Sequence, residues 1–188
     1  MIKAKPTTYS SAHFRSRLEA KWAAFFDLCG WRWEYEPLDL DGWVPDFGIV
    51  GAKGLILCEV KPIEWTKNRE TNSILTKRKD LDKIKFASKN REILVLGAYP
   101  FFMESVYSYC ISYLGFLSEI NENDLSEAVD FACFSRLSSH IDFRSENMSY
   151  HERISGKQNG GHTTEVDISE IDALWRKASS FVQWNPNG

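Results

Sequence analysis

Apolar side chains recur every three to four residues between positions 12 and 29, which is the spacing of one face of an α-helix. The series consists of Phe14, Leu18, Trp22, Phe25, Phe26 and Cys29. Ser11 is the expected N-cap of this helix, and Gly30 stands where a helix commonly ends in a left-handed glycine. The pattern therefore predicts an amphipathic helix over residues 12–29.

Strand-like spacing replaces the helical spacing after Gly30. Residues 31–37 alternate in character, residues 43–50 follow an Asp-Gly turn signal, and residues 54–61 are apolar enough for a central strand. Residues 70–90 carry an imperfect helical stripe, and Glu92 to Ala98 forms a second buried strand that should end at Tyr99-Pro100. This order predicts an α/β fold in which a central mixed β-sheet is flanked by helices.

The pattern is weaker beyond residue 100. Residues 105–117 are compatible with a strand pair or with one long strand, and residues 125–138 with a helix or a strand. Residues 155–164 have the composition of a loop, and residues 166–182 are typical of a terminal helix. Without an internal repeat or a linker, we expect one domain over 1–188, with a core at about 12–100 and a C-terminal elaboration over 101–188.

Composition places the chain among folded proteins of an ordinary intracellular kind. It has 188 residues, of which 43% are hydrophobic and 26% charged. No apolar run reaches the roughly 18 residues that a membrane span requires, and the N-terminus lacks the apolar stretch of a signal peptide. The four cysteines form no CxxC pair, so buried free thiols are expected. We expect a cytoplasmic protein with no membrane partner.

The charges are distributed unevenly along the chain. Residues 61–91 contain ten basic and four acidic side chains, whereas residues 119–172 contain four basic and twelve acidic ones. The first segment would suit a polyanion such as nucleic acid, and the second a protein partner. The expected phosphate contacts come from Lys77, Lys79, Lys83 and Lys85, although Asp80 and Asp82 leave open a merely solvated helix face.

The residues that carry chemistry are Asp46, Glu59 and Lys61. If residues 55–61 form a strand, Leu57, Glu59 and Lys61 point to the same side. A carboxylate and an ammonium then project from the end of an oily strand, which is costly without a partner or a metal. Asp46, Glu59 and the Val60 carbonyl supply the hard oxygen ligands that Mg²⁺ or Mn²⁺ prefers. The alternative is a surface ion pair on an edge strand beside a turn aspartate.

The Pro45-Asp46 and Glu59-Val60-Lys61 motifs, with the helix before them, resemble the PD-(D/E)XK nuclease superfamily. The opening helix and the following WEYEP look like the start of phage- and transposon-encoded members. The resemblance covers about residues 12–100 and implies a restriction-endonuclease-like core that cleaves nucleic acid with divalent cations. It also implies that Glu19, on the helix, completes the catalytic and metal site.

One glutamate, two tryptophans and three histidines have simpler interpretations that we leave open. Glu19 could pair with Arg15, while a capping box with Ser16 is disfavoured because the apolar pattern begins earlier. Trp43 and Trp65 would stack on bases if exposed, but tryptophan is more often part of a core. His140, His151 and His162 lack neighbouring cysteines at zinc-ligand spacing.

The sequence thus predicts a Mg²⁺-dependent DNA endonuclease of phage or mobile-element origin that hydrolyses phosphodiester bonds. Two other hypotheses remain. One is a nuclease-fold protein that no longer cuts and instead binds nucleic acid or a protein, as an assembly or anti-defence factor. The other is an endonuclease subunit that is active only with a transposase partner.

Overall fold

The computed structural model describes residues 5–40, 42–65, 92–104, 110–120, 127–146, 151–158 and 164–183. The helices described there are α1 (Arg17–Cys29) and α2 (Ile168–Phe181). The strands are β1 (Thr7–Tyr9), β2 (Ala12–Phe14), β3 (Trp33–Tyr35), β4 (Phe47–Gly51), β5 (Gly54–Val60), β6 (Ile93–Glu104), β7 (Cys110–Ile120), β8 (Glu127–Leu137), β9 (His140–Ser145) and β10 (Thr164–Glu165). A helix is predicted for residues 70–90, and all of these residues lie outside the described part of the chain.

The main sheet is mixed and follows the order β10-β8-β7-β6-β5-β4-β3, with β9 paired to β8 off this path. Strands β5 and β6 run parallel, whereas the other described pairs of this sheet are antiparallel. Strands β1 and β2 form a separate two-stranded hairpin. The prediction of an α/β fold built on a mixed sheet is confirmed.

The side chains of β5 alternate between two hydrophobic clusters, one on each face of the sheet. Ile56, Cys58 and Val60 pack in the cluster that contains the buried faces of α1 and α2. Leu57 belongs to the cluster on the other face, with Trp65 and other aromatic residues. The predicted alternation along this strand is therefore confirmed, and it leaves the Glu59 position on the face opposite the described helices.

Helix α1 begins later than predicted. Ser11 lies in the turn of the β1–β2 hairpin, and Ser16 is the N-cap, with its hydroxyl accepting a hydrogen bond from the backbone N–H of Glu19. The error arose because Phe14 is a strand residue that is 2% exposed and packs in the same core as the helix. The end of the helix is confirmed, since Gly30 adopts φ 76° and its N–H bonds to the carbonyl of Asp27.

The later strands resolve the ambiguous patterns in favour of strands. Strand β6 does not end at Tyr99-Pro100 but continues to Glu104, with a register shift between Leu96 and Phe101. Proline is tolerated there because the ladder is already interrupted. Residues 110–120 form one long strand, and residues 127–137 form another. Strand β9 was not predicted, whereas the terminal helix was.

One glycine of β7 is required by a close backbone approach. A Cβ at Gly115 would lie 2.4 Å from the carbonyl oxygen of Val95, at the register shift between β7 and β8. This distance is far shorter than a van der Waals contact. A larger residue at position 115 would therefore displace β6, the strand that pairs with β5.

Two further expectations concern thiols and membranes. Cys29, Cys58 and Cys133 are buried, and Cys29 and Cys58 form no disulfide within the described part of the chain. No helix in that part is long and apolar enough to cross a membrane.

Candidate active site

An open pocket of about 390 Å³ lies where the end of β5 meets the start of β4 and the start of α1. Its described lining residues are Arg15, Glu19, Gly42, Trp43, Val44, Asp46, Glu59, Val60 and Lys61. The pocket therefore contains all four residues that the sequence assigns to catalysis, together with Val60. They come from three separate segments of the chain.

The register of β4 and β5 brings the two central carboxylates together. Phe47 pairs with Cys58 at the end of the antiparallel ladder, and Asp46 and Glu59 are the residues directly beyond this pair on the two segments. The side chain of Asp46 turns toward β5 and accepts a hydrogen bond of 2.7 Å from the backbone N–H of Val60. Asp46 is 5% exposed and Glu59 is 6% exposed, so both carboxylates are buried.

Glu59 is held by two donors. The indole N–H of Trp43 donates to Glu59 Oε2 at 2.8 Å, and Lys61 Nζ lies 2.5 Å from Glu59 Oε1. Lys61 comes one residue after β5, yet its backbone N–H still bonds to the carbonyl of Leu96 at 2.9 Å. The ladder to β6 thus fixes the lysine backbone while its ammonium stays within the pocket.

Burial and charge crowding act strongly on Asp46. Burial raises the pKa of Asp46 to about 7, and the neighbouring Glu59 and Glu19 charges act in the same direction. The hydrogen bond from Val60 and the charge of Arg15 oppose this rise in the pKa. The pocket therefore holds a negative charge that it compensates only in part.

Glu19 reaches the pocket from the first turn of α1 and also serves the helix start. Its Oε1 accepts a hydrogen bond from the Ser16 hydroxyl at 2.7 Å, and its Oε2 accepts the Tyr35 hydroxyl at 2.6 Å. The backbone N–H of Arg15 also donates to Oε2 at 3.2 Å. The expectation against a capping interaction with Ser16 is wrong, because β2 ends before Ser16 and the helix begins there.

Arg15 stands at the mouth of the pocket. Its Nη2 lies 2.6 Å from Asp46 Oδ1, and its Nε lies 3.1 Å from Glu36 Oε1. The Arg15 side chain is 59% exposed, whereas that of Asp46 is 6% exposed. Glu36 has φ 47°, an uncommon value for a residue with a side chain. The guanidinium thus joins a buried carboxylate to an exposed one.

Other residues singled out in the sequence do not join the pocket or take different roles in it. Trp43 and Trp65 are 7% and 4% exposed, so both belong to the core and base stacking by exposed rings is not what they do here. Lys77, Lys79, Lys83 and Lys85 lie outside the described residues.

Sequence reasoning missed three contributors to the site. Arg15 was considered as an ion-pair partner of Glu19, but its guanidinium pairs with Asp46 and Glu36. Trp43 and Tyr35 orient Glu59 and Glu19. The WEYEP segment carried the only hint of Tyr35, since a strand that follows the helix returns beside its start.

The carboxylates of the pocket suit a divalent cation, although they now accept hydrogen bonds from other groups of the chain. The pocket contains three carboxylates, and the charges of Glu59 and Glu19 add to the effect of burial in raising the pKa of Asp46. Their oxygens are the hard ligands that Mg²⁺ and Mn²⁺ prefer. Within the described ranges, no three carboxylate, imidazole or thiol groups already stand in a ligand arrangement. Each carboxylate instead accepts protein donors, and the side-chain donors with the most freedom are Arg15 and Lys61. Binding of a metal cation would therefore require the Arg15 and Lys61 side chains to move aside.

No protein-family model, curated protein or solved structure matches this chain. The pocket offers acidic oxygens, a lysine fixed beside them, and an arginine at the opening.

Proposed function

We propose that this protein is a metal-dependent nuclease that hydrolyses phosphodiester bonds, with DNA as the substrate. The observation that supports the proposal is the convergence of Asp46, Glu59, Lys61 and Glu19 in one open pocket. A second support is that the pocket compensates the negative charge of Asp46 only in part, so the pKa of Asp46 is about 7. Acids with perturbed pKa values are concentrated at functional sites. The restriction-endonuclease-like character of the core is part of this proposal.

Asp46 and Glu59 would hold Mg²⁺ or Mn²⁺, with Glu19 and the Val60 carbonyl as further ligands. Such a cation supplies Lewis-acid stabilisation of negative charge on phosphate oxygens and lowers the pKa of bound water. Trp43 keeps Glu59 oriented toward the pocket through its indole N–H. The backbone N–H of Val60 does the same for Asp46.

Lys61 is suited to act on the attacking water or on the scissile phosphate. Its ammonium lies in the pocket and is bonded to Glu59, while its backbone is tied to β6. Release from Glu59 on cation binding would leave the ammonium able to donate to a phosphate oxygen or to orient a water. Both roles stabilise charge that grows during hydrolysis.

The activity is tested with purified protein and supercoiled DNA in Mg²⁺ or Mn²⁺. We expect nicking or cleavage that EDTA abolishes, and loss of cleavage by at least about 100-fold in Asp46→Ala and Glu59→Ala. Lys61→Ala should also be severely impaired. Lys53, an exposed lysine on the β4–β5 turn, provides a matched control, and Lys53→Ala should cut like the parent. Equal cutting by the parent and all three pocket variants would contradict the proposal.

Contact with the nucleic-acid backbone is expected from the basic residues 77–91, which lie outside the described part of the chain. If they contact phosphates, log affinity should fall with log salt at a slope of about −0.9 per phosphate on duplex DNA. Lys79→Ala combined with Lys83→Ala should reduce that slope by up to ~2 for every DNA sequence alike. Titrations with Ca²⁺ in place of Mg²⁺ would limit cutting. An unchanged slope would contradict the contact.

A second candidate function is supported by the closed hydrogen bonding of the pocket. Asp46, Glu59 and Glu19 all accept donors from within the chain. This arrangement is also what a nuclease-fold protein that binds without cutting, or a subunit that waits for a transposase-type partner, would have. Absence of cleavage together with retained DNA binding would favour this candidate.

A further inference from the structure

Arg15 differs from the other donors to the pocket carboxylates in its freedom to move. The Val60 amide belongs to a strand, the Trp43 indole is buried, and the Lys61 side chain is 24% exposed. The Arg15 side chain is 59% exposed and is held to Asp46 by a single ion pair. Because its side chain can turn into solvent, Arg15 is the easiest of these donors to displace.

The backbone of Arg15, in contrast, is anchored to the site. Its N–H donates to Glu19 Oε2 and to the Tyr35 hydroxyl, each at 3.2 Å. The guanidinium therefore moves from a fixed point at the pocket mouth. Glu36, on the outer side, already holds its Nε at 3.1 Å, so the guanidinium keeps one partner when it leaves Asp46.

A divalent cation and Arg15 compete for the same charge on Asp46. The guanidinium bonds Oδ1, whereas Oδ2 is taken by the Val60 amide, so Oδ1 is the oxygen that a cation would have to share. A planar guanidinium displaced from a carboxylate retains a fork of N–H donors that matches a phosphate. Its position at the opening is where a phosphate entering the pocket would pass.

We propose that Arg15 is an exchanging phosphate-binding residue, which neutralises Asp46 in the free protein and transfers its guanidinium to a substrate phosphate when a divalent cation takes its place. This inference rests on the proposed nuclease function and assigns Arg15 a substrate-binding role within it. Arg15 then weakens binding of the cation and strengthens binding of the substrate.

The two roles predict opposite effects of one substitution. Arg15→Ala should bind Mn²⁺ about two- to fivefold more tightly than the parent in the absence of DNA, because a competing ion pair is removed. With Ca²⁺ present, the same variant should bind a duplex more weakly, and its salt slope should be smaller by about one phosphate contact. Arg17, an exposed arginine two residues along that does not line the pocket, provides the matched control. Arg17→Ala should leave both affinities near those of the parent.

The experiment is isothermal titration with Mn²⁺, followed by salt titration of DNA binding, on folded parent, Arg15→Ala, Arg15→Lys and Arg17→Ala. Arg15→Lys retains a charge and should recover part of the DNA affinity. Weaker binding of both ligands by Arg15→Ala would indicate a purely structural residue and overturn the inference. Equal effects of Arg15→Ala and Arg17→Ala would overturn it as well, since they would reflect net charge alone. Failure of the parent to bind any Mn²⁺ would instead overturn the proposed function, and this inference with it.

Discussion

Asp46 and Asp142 are two buried aspartates whose surroundings differ in kind. Asp46 is 5% exposed and Asp142 is 2% exposed, so burial alone does not distinguish them. The oxygens of Asp142 accept backbone N–H groups from Phe143, Ile154 and Ser155, each at 2.8 Å. Those of Asp46 accept one backbone N–H group and an exposed arginine, beside two further carboxylates.

The difference separates a carboxylate that builds the fold from one that is available for chemistry. Asp142 ties β9 to the loop at residues 151–158 through the backbone N–H groups of Ile154 and Ser155. Asp46 is bonded to one group that can leave, and burial together with the Glu59 and Glu19 charges makes its ionised state costly without a cation. A buried acid thus indicates a site when its partners are exchangeable, and not merely because it is buried.

The largest expected effect is on the stability of the Asp142 region. Asp142→Asn places an amide NH₂ where Oδ2 now accepts the Ser155 N–H, so two donors face each other beside a buried side chain. We expect the free energy of unfolding to fall by about 2 to 4 kcal/mol, since a buried unsatisfied donor costs roughly 1 to 3 kcal/mol. Urea denaturation measures this fall.

Asp46→Asn is the matched comparison for that substitution. Its amide oxygen can still accept the Val60 N–H, while its NH₂ replaces the oxygen that accepts from the exposed Arg15 side chain, which can turn away. We therefore expect parental stability, or a gain above pH 7, together with lost cleavage. If Asp142→Asn were as well tolerated as Asp46→Asn, the distinction between the two aspartates would fail.

A smaller effect concerns how stability depends on pH. The pKa of Asp46 is about 7 in the folded protein, above the value of about 3.9 expected in an unfolded chain. The folded state therefore binds more protons between these values, and its stability should fall as the pH rises from about 4 to 7. We expect this part of the loss to be on the order of 1 to 3 kcal/mol and to vanish in Asp46→Asn.

The measurement is the difference in unfolding free energy between parent and Asp46→Asn at pH 5, 6, 7 and 8. Groups outside the pocket titrate alike in both proteins, so their contributions cancel, and the difference reports the titration of Asp46 together with its coupling to Glu59 and Glu19. A difference that stays constant across this range would show that Asp46 ionises without cost. Saturating Mn²⁺ at pH 8 should restore stability to the parent and not to the variant, because only the parent binds the cation well.

The sequence predicted those features of the site that follow from local spacing. Period-2 alternation along β5 correctly placed Leu57 opposite Val60, and it brought Glu59 and Lys61 to the pocket. Asp46 joined them because a short antiparallel hairpin leaves its strands in a simple register. These inferences need only neighbouring strands.

Features that depend on distant segments were not predictable in the same way. The side chain of Arg15 enters the site because the β1–β2 hairpin turns the chain just before α1, and a phenylalanine of that hairpin imitates the helical pattern. Register shifts between β6 and β7 and between β7 and β8 break the alternation, so the full length of β6 and the strand character of β8 were not predictable. The structural role of Asp142 was not predictable, because its partners are backbone amides and backbone amides leave no signal in the sequence.

The smallest expected effect tests whether orientation of Glu59 matters apart from its charge. Trp43→Phe keeps a buried ring but removes the N–H that donates to Glu59 Oε2 at 2.8 Å. A hydrogen bond to a charged group contributes about 1.5 kcal/mol, which corresponds to a roughly tenfold fall in kcat with KM little changed. Trp65→Phe, in the same hydrophobic cluster but outside the pocket lining, is the control for lost ring volume. It should lower stability by a similar amount and leave kcat unchanged. If the two variants lose activity equally, packing and not the indole N–H positions Glu59, and the contrast between exchangeable and fixed partners would need to rest on Asp46 alone.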